Sequence, residues 1–317
     1  PARHALARCR QGHAVTGALT RRAGWIDLVA GLLVTFAIYM QGVGGGYLFD
    51  DFPNIVDNKD IQIKEAGWVP LVRAAFASPA SDFKRPLASL SFAVNYLLTG
   101  ENPEPMKVTN LVIHLLNGIA CFFLTRLLAT LVVPASGTRR WRPDMIAALV
   151  ATGWMLLPIN ITSVLYVVQR MESLANLAVF LGMIGYIKGR QLMRPGQWRG
   201  LVLAVASITL VPLIGILAKE TAAMVPLYAF CIELAVFRGR TMNDDGVERP
   251  DRRVRYLFIV LLAIPFVLGS AWLSVKLSNP RAWASRDFTL YTRLLSECRI
   301  VVDYIAWTVF PQSDNLS

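Results

Sequence analysis

Apolar residues in this chain fall in long runs, and arginine-rich intervals separate several of them. About 20 helical residues cross the hydrocarbon core of a bilayer. On that ruler eight spans are expected: Trp25–Met40, Met106–Val133, Asp144–Leu157, Met171–Tyr186, Gly200–Ala218, Thr221–Phe237, Tyr256–Val275, and a last one from near Arg299 to just before Pro311. The polar breaks inside the paired runs are Pro158 with Asn160, and Lys219 with Glu220. The pattern predicts an all-α fold, a polytopic transmembrane helical bundle occupying 25–312.

The intervals set an orientation. A basic tail, 1–24, precedes the first span. Arg139, Arg140 and Arg142 follow the second, Lys188 to Arg199 the fourth, and Arg238 to Arg255 the sixth. Cytoplasmic loops carry such an excess, so the N-terminus and these clusters are expected inside. Two loops then face out, 42–106 and 276–297. Within the first, Ala66–Ala77 and Pro86–Leu98 have the pattern of short amphipathic helices near the membrane surface, with Gly100 as a stop.

The net charge of +11 would suggest nucleic acid in a soluble protein. Here it is distributed as topology signals, and no nucleic-acid partner is expected. Cys9, Cys121, Cys231 and Cys298 show neither metal-ligand nor disulfide spacing.

The chemistry concentrates just after the first span, in GVGGGYLFDDFPNIVDNKD, residues 42–60. Glycines 42, 44, 45 and 46 are expected to turn the backbone there. Asp50 and Asp51 form an adjacent acidic pair among Tyr47, Phe49 and Phe52. The spans bring further polar groups to the same outer end: Asn110 and His114, then Gln169, Arg170 and Glu172, then Lys219 and Glu220, then Arg281, Arg286, Arg293 and Arg299. Ionisable groups at membrane depth are expensive and mark pathways or sites. Arginine and lysine suit a phosphate at headgroup level, and a carboxylate suits proton removal from an acceptor hydroxyl. That mix fits an inverting single displacement. Magnesium or manganese on Asp50 and Asp51 is compatible with two carboxylates. A transporter or flippase for a lipid-linked or anionic solute is the alternative. It needs mid-depth polar residues that the fifth and seventh spans largely lack.

FDDFPNIVDNKDI (49–61), KRPLASLSFAVNYLLTG (84–100), VTNLVIHLLN (108–117), LYVVQRMESLA (165–175), LAKETAAMVPL (217–227) and TLYTRLLSECRIVVDYIAWTVFP (289–311) occur in this order. In that order the chain resembles the GT-C glycosyltransferases of the transmembrane O-mannosyltransferase type with tetratricopeptide repeats, and their bacterial relatives that glycosylate pilins. The resemblance implies a polyprenyl-phosphate sugar donor, a protein Ser or Thr hydroxyl acceptor such as a pilin, and a periplasmic site on the bacterial inner membrane. It implies that the general base is Asp51 or Asp50, with Asp51 preferred. Arg85, His114, Arg170, Glu172, Lys219 and Glu220 match motif positions and are donor-site candidates, joined by Arg293 and Arg299. Where the family often has His-Pro before the fourth-span motif, this chain has Leu157-Pro158.

Overall fold

The structure, a computed structural model, describes residues 24–132, 142–194, 197–242, 247–279, 283 and 287–311. The tail before Gly24, Arg139 and Arg140, and Arg281 and Arg286 lie outside the described residues. Among the described residues the chain is an all-α bundle with one small antiparallel hairpin. Its helices are α1 Gly24–Met40, α2 Trp68–Ala75, α3 Pro86–Thr99, α4 Pro103–Val132, α5 Pro143–Met155, α6 Ile161–Leu165 and α7 Arg170–Leu192. They continue as α8 Arg199–Ile216, α9 Val225–Ile232, α10 Arg252–Phe258, α11 Ile264–Leu277 and α12 Leu290–Val309. The hairpin pairs β1, Arg240–Met242, with β2, Glu248–Pro250.

Among the described residues, five helical segments are long and apolar enough to cross a membrane: Pro103–Val132, Val167–Leu192, Arg199–Ile216, Glu220–Phe237 and Arg252–Leu277. This is a multi-pass membrane protein. The expected third span is instead a broken pair, Pro143–Met155 and Pro158–Leu165, bent by 58°. Pro158 lacks the N–H that would continue the ladder. The first span stays short at Gly24–Met40.

The last helix departs most from expectation. It starts at Leu290, well before Arg299, because Thr289 and Thr292 form a reciprocal capping box. Much of what read as loop up to residue 297 is therefore helix. Carrying Arg293, Glu297, Arg299 and Asp303, α12 does not reach the apolarity of a span.

The connectivity gives the bundle two polar ends. The loop end holds the segment between α1 and α4, and the hairpin end holds β1–β2. Helix α7 joins them, and each of its ends buries an arginine: Arg170 is 0% and Arg190 4% exposed. Twenty residues of α-helix rise about 30 Å, the thickness of a hydrocarbon core. Between these layers α7 and α8 come into close contact. A Cβ at Gly189 would stand 2.5 Å from the Ala204 nitrogen, and one at Gly185 2.2 Å from the Ser207 hydroxyl. Small residues allow backbones this close, the usual basis of helix association in lipid.

At the hairpin end Arg190 grips Glu233 with Nε at 2.7 Å and Nη2 at 2.9 Å, and Tyr186 donates to the same carboxylate. Arg190 also donates to the Arg240 carbonyl at 2.8 Å and the Thr241 hydroxyl at 3.1 Å, fastening the hairpin to α7.

At the loop end the two surface helices form as expected, and α3 stops at Gly100 with φ +69°. Their inner faces meet the bundle in one cluster that includes Ile55, Ala74, Phe92, Met106, Val168 and Ala218. The glycines at 42–46 do not make the turn by left-handed geometry; the residue with positive φ there is Phe49, at 33°.

Candidate active site

Four of the five places expected to send polar groups to one end do meet at the loop end. Asp51 is fully buried. Its Oδ1 accepts from the Val168 N–H at 2.7 Å and its Oδ2 from the Leu48 N–H at 3.0 Å, tying the first loop to the start of α7. Burial pushes its carboxyl above the usual range, opposed by the Leu48, Val168 and Val167 N–H groups and the Lys107 charge. Lys107 donates to the Gly45 and Gly46 carbonyls at 2.6 and 3.0 Å.

Asp50 differs from its neighbour: it is exposed. Its main-chain N–H donates to the Tyr166 hydroxyl at 2.8 Å. Burial raises the pKa of that phenol. The preceding Phe49 stands edge-on to the Tyr166 ring, 6.5 Å away. A bulky residue in the left-handed region is strained and persists only where its surroundings hold it. Here it sits directly before the exposed carboxylate. Both oxygens of Asp51 accept main-chain hydrogen bonds, so Asp50 is the more open carboxylate of the adjacent pair. Among the described residues no group of three metal-ligating side chains occurs.

Arg85 and Glu220 meet across 135 positions of sequence, with Nη2 at 2.9 Å and Nε at 3.2 Å from Oε2. The hydroxyl of Ser81 also donates to Glu220. Lys84 and Arg85 both have positive φ, 59° and 44°. This turn is docked by the Leu87 N–H donating to the Leu217 carbonyl at 2.9 Å. Lys219 pairs with Glu172 at 2.8 Å, and Thr221 donates to Glu172 at 3.0 Å. Both ion pairs remain partly open to solvent.

Arg170 is placed differently from the expectation of a donor-binding cation. Its Nε donates to Asn110 at 2.7 Å, Nη1 to the Ser91 carbonyl at 3.0 Å and Nη2 to the Met106 carbonyl at 2.9 Å. Its guanidinium also lies 4.7 Å from the centre of the Phe92 ring. A fully buried fork directed at α3 and α4 is a clamp between helices, with no face left for a phosphate.

His114 is also enclosed, between Trp154 and Tyr39 at ring distances of 5.2 and 5.3 Å. Its Nε2 lies 3.0 Å from the Met155 carbonyl, so that nitrogen carries the proton. It lines a polar cavity of about 230 Å³ with Asn117, Asn160, Glu172, Ser173 and Asn176. Asn117 donates to the Ser173 carbonyl at 2.9 Å, and Asn176 to Asn117 at 3.2 Å. Reading single residues missed this cavity. Asn110, His114 and Asn117 stand at i, i+4 and i+7, and Ser173 and Asn176 at i and i+3, so two facing polar stripes were present in the sequence.

Sharing one end does not bring these groups into one cavity: this one is lined by neither aspartate and no lysine or arginine. Arg293 and Arg299 do not join the cluster at all. Each pairs along its own helix, with Glu297 at 2.7 Å and Asp303 at 3.9 Å. The α12 surface is exposed, and no α12 residue is buried.

No family model matches the chain, and no solved structure matches it. Named relatives do. The chain is 28% identical over 282 residues, 83% of its length, to the protein O-mannosyl-transferase Tmtc2 of Drosophila melanogaster. It is 27% identical over 214 residues, 66% of its length, to the protein O-mannosyl-transferase TMTC3 of Mus musculus. It is 29% identical over 173 residues, 52% of its length, to the protein O-mannosyl-transferase TMTC4 of Homo sapiens. The matched regions cover 27%, 21% and 23% of those proteins, so the chain spans about a quarter of the length of the curated relatives it matches. The ordered motifs and these matches agree: the chain is a distant relative of the protein O-mannosyl-transferases.

Proposed function

We propose that this chain carries the catalytic core of a membrane glycosyltransferase, moving a sugar from a polyprenyl-phosphate donor to a protein Ser or Thr hydroxyl at the periplasmic face. The likeness to protein O-mannosyl-transferases supports the reaction class. The observation that carries the assignment of a base is the contrast within the acidic pair: Asp50 is open to solvent while Asp51 is buried and bonded to main chain. Asp50 is therefore the proposed general base, and Asp51 positions it by anchoring the loop to α7.

In the reaction the acceptor oxygen attacks the anomeric carbon and the bond from that carbon to the phosphate oxygen breaks. The electron pair leaves on the phosphate, and the hydroxyl proton passes to the Asp50 carboxylate. Arg85 and Lys219, the partly exposed cations of the cluster, are the proposed counter-charges for the leaving phosphate, where charge develops in the transition state. The amides lining the His114 cavity suit sugar hydroxyls. No step requires a metal.

The test is transfer from a lipid-phosphate-linked sugar to a hydroxyl peptide by the full protein in membranes. Asp50→Asn is expected to lower kcat by about 10²–10⁴-fold, with thermal stability unchanged. An unchanged kcat in Asp50→Asn ends the assignment.

A further inference from the structure

At the hairpin end, far from the acidic pair, a groove of about 760 Å³ opens between the α9 segment and α10–α11. Its walls are apolar, with Leu227, Phe230, Phe258, Ile259 and Leu262 among them. They belong to two of the membrane-crossing segments, Glu220–Phe237 and Arg252–Leu277. Its polar end is ringed by Arg238, Arg240, Arg252 and Arg255, all exposed.

Two carboxylates also line the groove, and both already have partners. Glu233 is held by Arg190 and Tyr186. Asp251 is held by Arg253, with Nη2 at 2.8 Å, and by the Thr241 hydroxyl at 3.0 Å. Arg190 and Arg253 thus offset the two acids, and the mouth keeps the charge of four further arginines. The mouth is also built. Arg190 fastens β1, Arg253 donates to the Arg194 and Gln197 carbonyls, and the Gly239 N–H donates to Glu233 at 3.0 Å. Arg238 is held in the left-handed region at φ 54°.

We propose that this groove binds an anionic phospholipid of the bilayer, with acyl chain between α9 and α10–α11 and phosphate among the four arginines. The combination selects the ligand. An apolar trough inside the hydrocarbon suits a chain, and arginine forks at its end suit a phosphate. A soluble anion leaves the trough unused. A protein helix filling the trough leaves four arginines without partners unless it is acidic at that end.

The test uses the full chain in lipid discs of phosphatidylcholine. Binding of a phosphatidylglycerol probe with matched chains is measured, with inorganic phosphate as competitor and thermal unfolding alongside. The wild-type protein is expected to bind phosphatidylglycerol, gain thermal stability from it, and show no displacement by phosphate. The pair Arg252→Gln with Arg255→Gln is expected to bind about 30-fold more weakly, at roughly tenfold per 1.4 kcal/mol and about 1 kcal/mol per arginine, and to unfold as wild type does in phosphatidylcholine alone. Should that pair misfold, Arg238→Gln with Arg240→Gln carries the same expectation. Unchanged phosphatidylglycerol binding in a folded double variant overturns the proposal. So does equal competition by free phosphate, which makes the site one for soluble anions. A photo-crosslinker at Ile259 that captures protein, and is not displaced by phosphatidylglycerol, overturns it in favour of a covering helix.

Discussion

Replacing Arg170 with lysine separates a clamp from a ligand-binding cation. The guanidinium donates to three neutral acceptors on two helices and covers an aromatic face, at zero exposure. A lysine keeps the charge but cannot fork, so at least one of Asn110 Oδ1, Ser91 O and Met106 O loses its donor. Hydrogen bonds to charged groups contribute about 1.5–3 kcal/mol each, and a buried acceptor left unpaired costs about 1–3 kcal/mol. Loss of one to two bonds gives an expected destabilisation of about 3–5 kcal/mol for Arg170→Lys, large against the marginal stability of most folds. The assay is thermal or denaturant unfolding in detergent or lipid discs, paired with sugar transfer on the surviving folded fraction. Arg293→Gln, at a half-exposed pair within one helix, is the control and should cost no more than about 0.5 kcal/mol. An Arg170→Lys protein with wild-type unfolding and a raised KM for the lipid-linked donor refutes the clamp and restores Arg170 to the donor site.

Asp51→Asn places an amide N–H₂ where the carboxylate now accepts from a main-chain N–H, an expected cost of about 1–3 kcal/mol by unfolding. It should also alter pH dependence. Burial raises the folded Asp51 pKa above its ordinary 3.8, so the folded state holds the proton more tightly. Asp51 therefore favours the fold below that value, and its contribution is lost as pH rises towards the raised one. Unfolding midpoints measured from pH 4 upward should show a component of that sign in wild type and not in Asp51→Asn. Gly189→Ala drives a Cβ into the Ala204 backbone, and helix separation should cost about 1–3 kcal/mol; an unchanged midpoint would mean that α7 and α8 shift freely. A double-mutant cycle on Arg85→Gln and Glu220→Gln should return a coupling of about 1 kcal/mol, since the pair is partly exposed. A coupling near zero would show that Arg85 is not held by Glu220 in the lipid-embedded protein.

The sequence by itself determined the class of fold and most of the helices, because a crossing helix must satisfy its backbone internally and show an apolar surface to lipid. That requirement is local and can be read along a run such as Arg199–Ile216. It also brought the acidic pair, Arg85, Lys219 and Glu220 to one end, since alternating spans return the chain to the same face. Side-chain direction was not legible. Asp50 and Asp51 are adjacent in a polar loop, yet one faces water and the other is sealed against Val168, a contact made across 117 positions. Arg170 and Lys219 look equally available in sequence; only the packing of α3 and α4 around Arg170 makes it a clamp, while Lys219 stays partly open. Hydrophobicity along a chain is a property of neighbours in sequence. Which polar group meets solvent is decided by residues far away in it, and only the tertiary structure brings those together.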